Sequence, residues 1–212
     1  MNTYHLLVET LTDTMLGSGL SVPGLIDNDI RYDDQGIPYM NAKTMKGLLG
    51  RQIRWIHELY PDEFKNVNLS VLLGSPDVDG EKRNGKLHFT ALHLPNGIVS
   101  ALQKAVKENK ITKNELLDGI TVMYSYTALD ENGIAKDHSL RRVRMIKKGF
   151  LFETEIYTEQ LAPDEEKLLC WSVCALQHIG TYKSKGKGLV RCRIQKDGKN
   201  LEDIYIKGDG DK

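Results

Sequence analysis

Long apolar runs are missing from this 212-residue chain. Nothing approaches the roughly 18 consecutive apolar residues of a membrane-spanning helix, so no membrane span is expected. The first residues, MNTYHLLVETL, lack a basic leader and an apolar core of the secretory kind. Cysteine is scarce: only Cys170, Cys174 and Cys192. Together these absences lead to the expectation of a cytoplasmic protein with reduced thiols. Phosphate-loop signatures are also lacking. There is no G-x-x-x-x-G-K-[ST] and no G-x-G-x-x-G after a strand, so nucleotide hydrolysis is not expected. Cys170 and Cys174 lie four apart in the apolar run LLCWSVCAL with no second Cys or His pair at finger spacing. They are expected to pack as small apolar side chains. None of the six histidines stands in a recognisable nucleophile motif with Ser or Cys. No internal repeat is visible.

Net charge is also lacking, since 29 Lys and Arg balance 29 Asp and Glu. The balance conceals two basic patches. Residues 136–148 carry Lys136, Arg141, Arg142, Arg144, Lys147 and Lys148 against Asp137 alone. Residues 183–199 carry Lys183, Lys185, Lys187, Arg191, Arg193, Lys196 and Lys199 against Asp197 alone. Basic clusters of this kind mark either polyanion binding or a solvated charged surface. At 27% charged and 40% hydrophobic residues, the chain has the composition of a folded domain and the length to bury a core.

The stretch at residues 25–55, LIDNDIRYDDQGIPYMNAKTMKGLLGRQIRW, joins an acidic loop (Asp27, Asp29, Asp33, Asp34) to a turn and then a basic amphipathic helix. Asn41 or Thr44 is suited to cap that helix. Met45, Leu48, Leu49, Ile53 and Ile56 recur at spacings of three and four as an apolar stripe, and Lys43, Lys46, Arg51 and Arg54 fall largely off it. A helix start with free amides and a lysine in its first turn is a seat for phosphate.

The remaining elements follow from period and punctuation. Residues 3–11 read as a buried strand and 86–94 as an alternating one. Helices are predicted over 97–108 and from Pro163 to about His178, with a helical turn at 112–118 and a short apolar turn at 70–74. Further strands are predicted at 120–126, 149–157, 189–194 and 203–207, with polar loops at 77–85 and after Ile206. Residues 127–148, between two strands, are too long for a tight turn and read as a protruding hairpin or arm. The result is one α+β domain over 1–212, compatible with a ferredoxin-like, RNA-recognition-type sheet carrying helical insertions. In GTYKSKGKGLVRCRI the glycines permit close approach to a phosphate and the interleaved lysines add charge, which nominates Lys183, Lys185, Gly186, Lys187 and Gly188.

Four colinear blocks carry a family resemblance: LIDNDIRYDDQGIPYMNAKTMKG, LLGSPDVDGEKRNGKLHF, YTALDENGIAKDHSLRRVRMIKKGFLFETEIY, and the glycine loop at 180–188. The chain resembles the repeated backbone subunit of type III CRISPR interference complexes, in the RAMP superfamily. It departs from the family pattern at Asn41-Ala42-Lys43-Thr44 and at Thr181-Tyr182. The resemblance implies a subunit that stacks on copies of itself along a guide RNA, beside other effector subunits. It also implies a thumb-like arm that displaces nucleotides of the guide–target duplex. Arg141, Arg142 and Arg144 would contact RNA there, and Leu140, Val143, Met145 and Ile146 would supply apolar tips; the alternative for this arm is a dimer-contact hairpin. In active members a loop aspartate supports metal-dependent cleavage of target RNA. Asp27 matches it, with Asp29 as the fallback, and the ion would be Mg or Mn. The alternatives are an inactive scaffold of the same fold and a guide-processing endoribonuclease.

Overall fold

The computed structural model describes residues 1–19, 21, 24–75, 84–128, 130–136 and 138–207. The polar loop predicted at 77–85 lies mostly outside them, as does most of the tail after Ile206.

The chain opens with strand β1 (Asn2–Thr10), in which Tyr4, Leu6 and Val8 alternate into the core. A long irregular segment leads to β2 (Tyr39–Met40) and helix α1 (Ala42–Leu59). Met45, Leu49, Ile53 and Ile56 of α1 are buried, as their spacing dictates. The short helix α2 (Leu69–Leu73) is capped by Asn68, whose side-chain oxygen accepts from the N–H groups of Ser70 and Val71. Strands β3 (His88–Phe89) and β4 (Leu92–His93) follow, then α3 (Asn96–Lys107) and α4 (Lys113–Ile120), the latter closed by a Thr112–Glu115 capping box. Next come β5 (Thr121–Tyr126), β6 (Arg141–Ile146), β7 (Leu151–Thr158) and α5 (Pro163–Cys174). Pro163 sits in the first turn of α5, where its missing N–H costs nothing, and Glu165 accepts the Ala162 N–H at 2.9 Å. The chain ends with β8 (Val190–Lys196), β9 (Lys199–Asn200) and α6 (Leu201–Tyr205).

The main sheet runs β2-β4-β7-β1-β8-β9, with β3 also on β7. Its four central strands, β4-β7-β1-β8, are antiparallel to their neighbours and α1 packs on α5. Strand, helix, strand, strand, helix, strand in that spatial order is the ferredoxin-like arrangement, here with α2, α3, α4 and a hairpin inserted. The core fills the space between sheet and helices: Leu6, Phe152, Ile156 and Ile194 meet Leu49, Ile53, Leu168, Leu169 and Val173.

Four expectations change. The strand predicted at 86–94 is two pieces, because Phe89 pairs with Ile156 while His93 pairs with Glu153, which leaves one extra residue between them. Thr90 fills that step by hydrogen bonding to Thr154 and Glu155, and the extra residue turns Leu92 inward. The strand predicted at 203–207 is instead the end of helix α6, where Asp203 and Lys207 pair across one turn at 2.8 Å and Leu201 anchors the start in the core. Asn41 is the N-cap of α1, yet its side chain makes no capping hydrogen bond. The arm expected at 127–148 begins earlier in the chain: β5 leaves the main sheet and pairs with β6, so the hairpin has its root at Thr121 and Ile146.

Candidate nucleic-acid interface

The start of α1 faces an open hollow of about 410 Å³, lined among others by Ser18, Arg31, Asn41, Thr44, Arg51 and Thr181. Asn41 holds an extended backbone with φ −61° and ψ 142°, and no acidic residue occupies the first turn of α1. The amide dipoles there are unopposed by side-chain charge, which suits an anion. The opposite wall is the glycine loop. Gly180 takes φ +73° with its α-carbon so close to Met15 that an added Cβ would lie 2.1 Å from the Met15 carbonyl oxygen. Gly188 takes φ +77° with the same relation, at 2.2 Å, to the Ile179 carbonyl oxygen. The freedom of these two glycines is therefore used to press the loop against its own fold rather than to admit a phosphate. Gly186, also left-handed at φ +69°, faces open space beside a 3₁₀ turn at Lys183–Lys185.

A second hollow of about 450 Å³ continues along α1, sharing Leu48 and Arg51 with the first. Of the predicted contacts on α1, Arg51 lies in this groove. Lys43 and Lys46 do not line it, because at 3.6 residues per turn they fall on the other flanks of the helix. Lys46 is half-buried, and that burial holds its ammonium pKa below the usual lysine range. Lys183 lines the second hollow.

The acidic loop is laid along the edge of the arm. The Asp27 N–H donates to the Arg142 carbonyl at 2.8 Å and the Asp27 carboxylate accepts the Arg142 N–H at 2.7 Å. The Arg144 N–H then donates to the Asn28 carbonyl at 3.1 Å. Asp27 is exposed on this shelf. Asp29 is only 3% exposed, accepts the Ile30 N–H at 2.8 Å, and faces Arg144 Nε at 3.6 Å. The fallback aspartate is therefore a buried ion-pair partner, and Arg144 points at it rather than outward. Arg141 and Arg142 are exposed. Val143, Met145 and Ile146 are fully buried and belong to the core, so of the four expected apolar tips only Leu140 is exposed, at 59%.

Three tyrosines that sequence reasoning did not single out join the arm to the glycine loop. Tyr124 and Tyr126, two apart on β5, share one face, with centroids 6.1 Å apart and planes at 16°. Tyr182 of the glycine loop extends the stack at 5.5 Å and 14°. Lys185 lies 3.8 Å over the Tyr126 ring and Lys187 3.7 Å over that of Tyr124. Asp13 collects the Tyr124 hydroxyl, the Lys148 N–H at 3.0 Å and the Lys187 ammonium at 3.4 Å. Burial alone would raise the Asp13 carboxyl, but these donors outweigh it and hold its pKa below the ordinary value. Lys187 is correspondingly raised: burial works against its charge, and the Tyr124 and Asp13 contacts outweigh that. Tyr182 also accepts a hydrogen bond from the Asn28 amide at 2.9 Å, so the acidic loop, the arm and the glycine loop meet at one residue. The period-two tyrosines were a visible signal; their partners, from distant segments, were not.

No curated protein matches this sequence. Among solved structures, the fold matches a chain of Type III-B Cmr-beta in its apo state, with a TM-score of 0.67 over 93% of this chain and 99% of that one, at 12% identity. A chain of Type III-B Cmr-beta bound to cognate target RNA matches with a TM-score of 0.62, over 92% of this chain and 97% of that one, again at 12% identity. Such identities speak for the fold alone. The RAMP superfamily model matches residues 7–191, nearly the whole chain. The chain belongs to the RAMP superfamily.

Proposed function

We propose that this protein is a guide-RNA-binding backbone subunit of a type III CRISPR effector complex. It stacks on copies of itself and on other effector subunits along the guide, and it receives a complementary target RNA. The observation that carries the reading is the continuous groove along α1. There an uncapped helix start, Arg31 and Arg51 share the lining with the glycine loop, which contributes Gly180, Thr181 and Lys183. Family membership and the Cmr-beta fold support it. Phosphate and sugar contacts of this sort bind without reading sequence, as a guide-holding subunit requires.

The same reading gives Asp27 a part in target cleavage. Its carboxylate is exposed and pinned to β6 of the arm at Arg142, so a duplex distorted by the arm would meet it at a fixed place. Among the described residues no group of three or more His, Cys, Asp or Glu side chains stands ready for a metal. A single carboxylate fits a Mg or Mn ion that takes its remaining ligands from RNA phosphates and water. When bound, such an ion would neutralise charge on the scissile phosphate. Asp27 itself would orient the attacking 2′-hydroxyl or accept its proton. Without that chemistry the protein would be a scaffold with the same groove.

The test is expression of the protein alone, followed by recovery of bound nucleic acid and measurement of particle size. Short co-purifying RNA and nuclease-sensitive multimers are expected. A monomer that carries no RNA and binds no added single strand would overturn the reading.

A further inference from the structure

We infer that Trp55 is a stacking platform for one unpaired base of the RNA held in the α1 groove, an inference that rests on the RNA-binding reading of that groove. Asn41, Thr44, Leu48, Arg51 and Trp55 follow at helical spacing and all line the two connected hollows, so one face of α1 forms a continuous floor. The floor begins at the helix start that suits a phosphate and ends about 21 Å further on at the residue that carries the indole.

The two tryptophans differ sharply. Trp171 is built into the fold, edge-on to Tyr60 and Phe64 at 5.3 and 5.4 Å, with its indole N–H donating to the Tyr205 carbonyl at 3.1 Å. Trp55 is 53% exposed, and among the described residues it makes no ring stack, no cation contact and no hydrogen bond. Its neighbours in the 450 Å³ hollow include the cationic Arg51 and Lys183, the amides of Gln52 and Gln177, and His178, beside the apolar Leu48, Ala175 and Leu176. That pairing of a flat apolar surface with nearby positive charge is what single-stranded nucleic acid uses, a base on the ring and the phosphates on the rim. The hollow is of the size that encloses a nucleoside-sized ligand. The competing occupant is another protein, since exposed Leu59 and Tyr60 continue the apolar surface past the indole. The basic, polar rim and the continuity with the phosphate-seating end favour RNA.

Binding of two probes by the full-length protein tests this: a short oligouridine, and a ribose-phosphate chain of equal length without bases. Trp55→Ala should weaken oligouridine binding about 5- to 100-fold, the range of one base stack, while Trp55→Phe stays within a few-fold of wild type. The base-free chain should bind wild type and Trp55→Ala alike. With 5-fluorotryptophan incorporated, the Trp55 fluorine resonance should shift on adding oligouridine and that of Trp171 should not. If wild type binds neither probe, the groove reading falls and this inference with it. If wild type binds oligouridine and Trp55→Ala binds it equally well, the inference alone fails. Loss of self-association in Trp55→Ala with unchanged RNA affinity also overturns it and makes the face a protein contact.

Discussion

Asp27 is tied to Arg142 through two hydrogen bonds, one from its own N–H to the Arg142 carbonyl and one from the Arg142 N–H to its carboxylate. Two residues 115 positions apart thus form a single shelf against β6 of the arm, at the end of the ladder away from its root, and the acidic loop is tied to the arm there. The carboxylate retains its second oxygen for chemistry.

That geometry separates the two aspartates. Asp27→Asn keeps an acceptor for the Arg142 N–H and loses the charge. It should leave stability unchanged and slow divalent-dependent cutting of complementary RNA by the assembled complex about 10²–10⁴-fold. Asp27→Ala should lose the same activity and about 1 kcal/mol of stability besides. Asp29→Ala strands Arg144, 17% exposed, without its ion-pair partner, and should cost about 3–5 kcal/mol. An inactive Asp29→Ala would thus report a damaged fold, readable as a lowered denaturation midpoint. Wild-type cutting by Asp27→Asn would remove Asp27 from the mechanism.

Asp13 makes acid sensitivity a probe of the arm's attachment. Its carboxyl is held below its ordinary value in the fold, so its contribution is complete above about pH 4 and fades as pH falls through the folded-state value. Lys187 is raised, so its share is lost only in strong alkali, as pH climbs through its folded-state value. Asp13→Asn should be less stable than wild type by about 1.5–3 kcal/mol at pH 7, and the gap should narrow toward pH 2–3. Denaturant unfolding of both proteins across that range measures it. A gap independent of pH would mean that the ionised carboxylate is not what fastens Tyr124, Lys148 and Lys187.

Elements with an unambiguous period were legible from the sequence. β1, α1, β7 and α5 each bury one regular set of residues, and local pattern decides them without reference to the rest of the fold. Where two patterns compete the reading failed. Ile204 and Ile206 alternate like a strand, but burial of Leu201 and the Asp203–Lys207 pair make residues 201–205 helical. The arm was visible as an excess of chain between strands. The inward turn of Val143, Met145 and Ile146 was not, because it depends on where β5 and β6 fold back against the domain. In the candidate site, Arg51 and Lys183 could be named from charge and helical spacing. The engagement of Arg144 by Asp29, and of Lys187 by Asp13, arises from contacts more than a hundred residues apart, and that of Lys187 by Tyr124 from another distant segment, which composition cannot show.

Sequence alone nominated Lys43, Lys46, Arg51 and Lys183 on equal terms, whereas the groove includes only the last two. Each cation that neutralises a phosphate releases counterions, and for a single strand each contributes about 0.7 to the slope of log affinity against log salt. Arg51→Gln and Lys183→Gln should therefore each lower that slope by about 0.7, with similar effects on two RNA strands of unrelated sequence. Lys43→Gln should leave the slope unchanged, because an exposed lysine off the groove meets no bound phosphate. Lys46→Gln should also leave it unchanged, since that half-buried lysine lines neither hollow. Titrations from about 50 to 200 mM salt resolve the difference, which spans more than a factor of two in affinity per contact. A slope reduced by Lys43→Gln as much as by Arg51→Gln would place the RNA on the opposite flank of α1. A flat salt response in wild type would exclude phosphate contacts as the source of binding altogether.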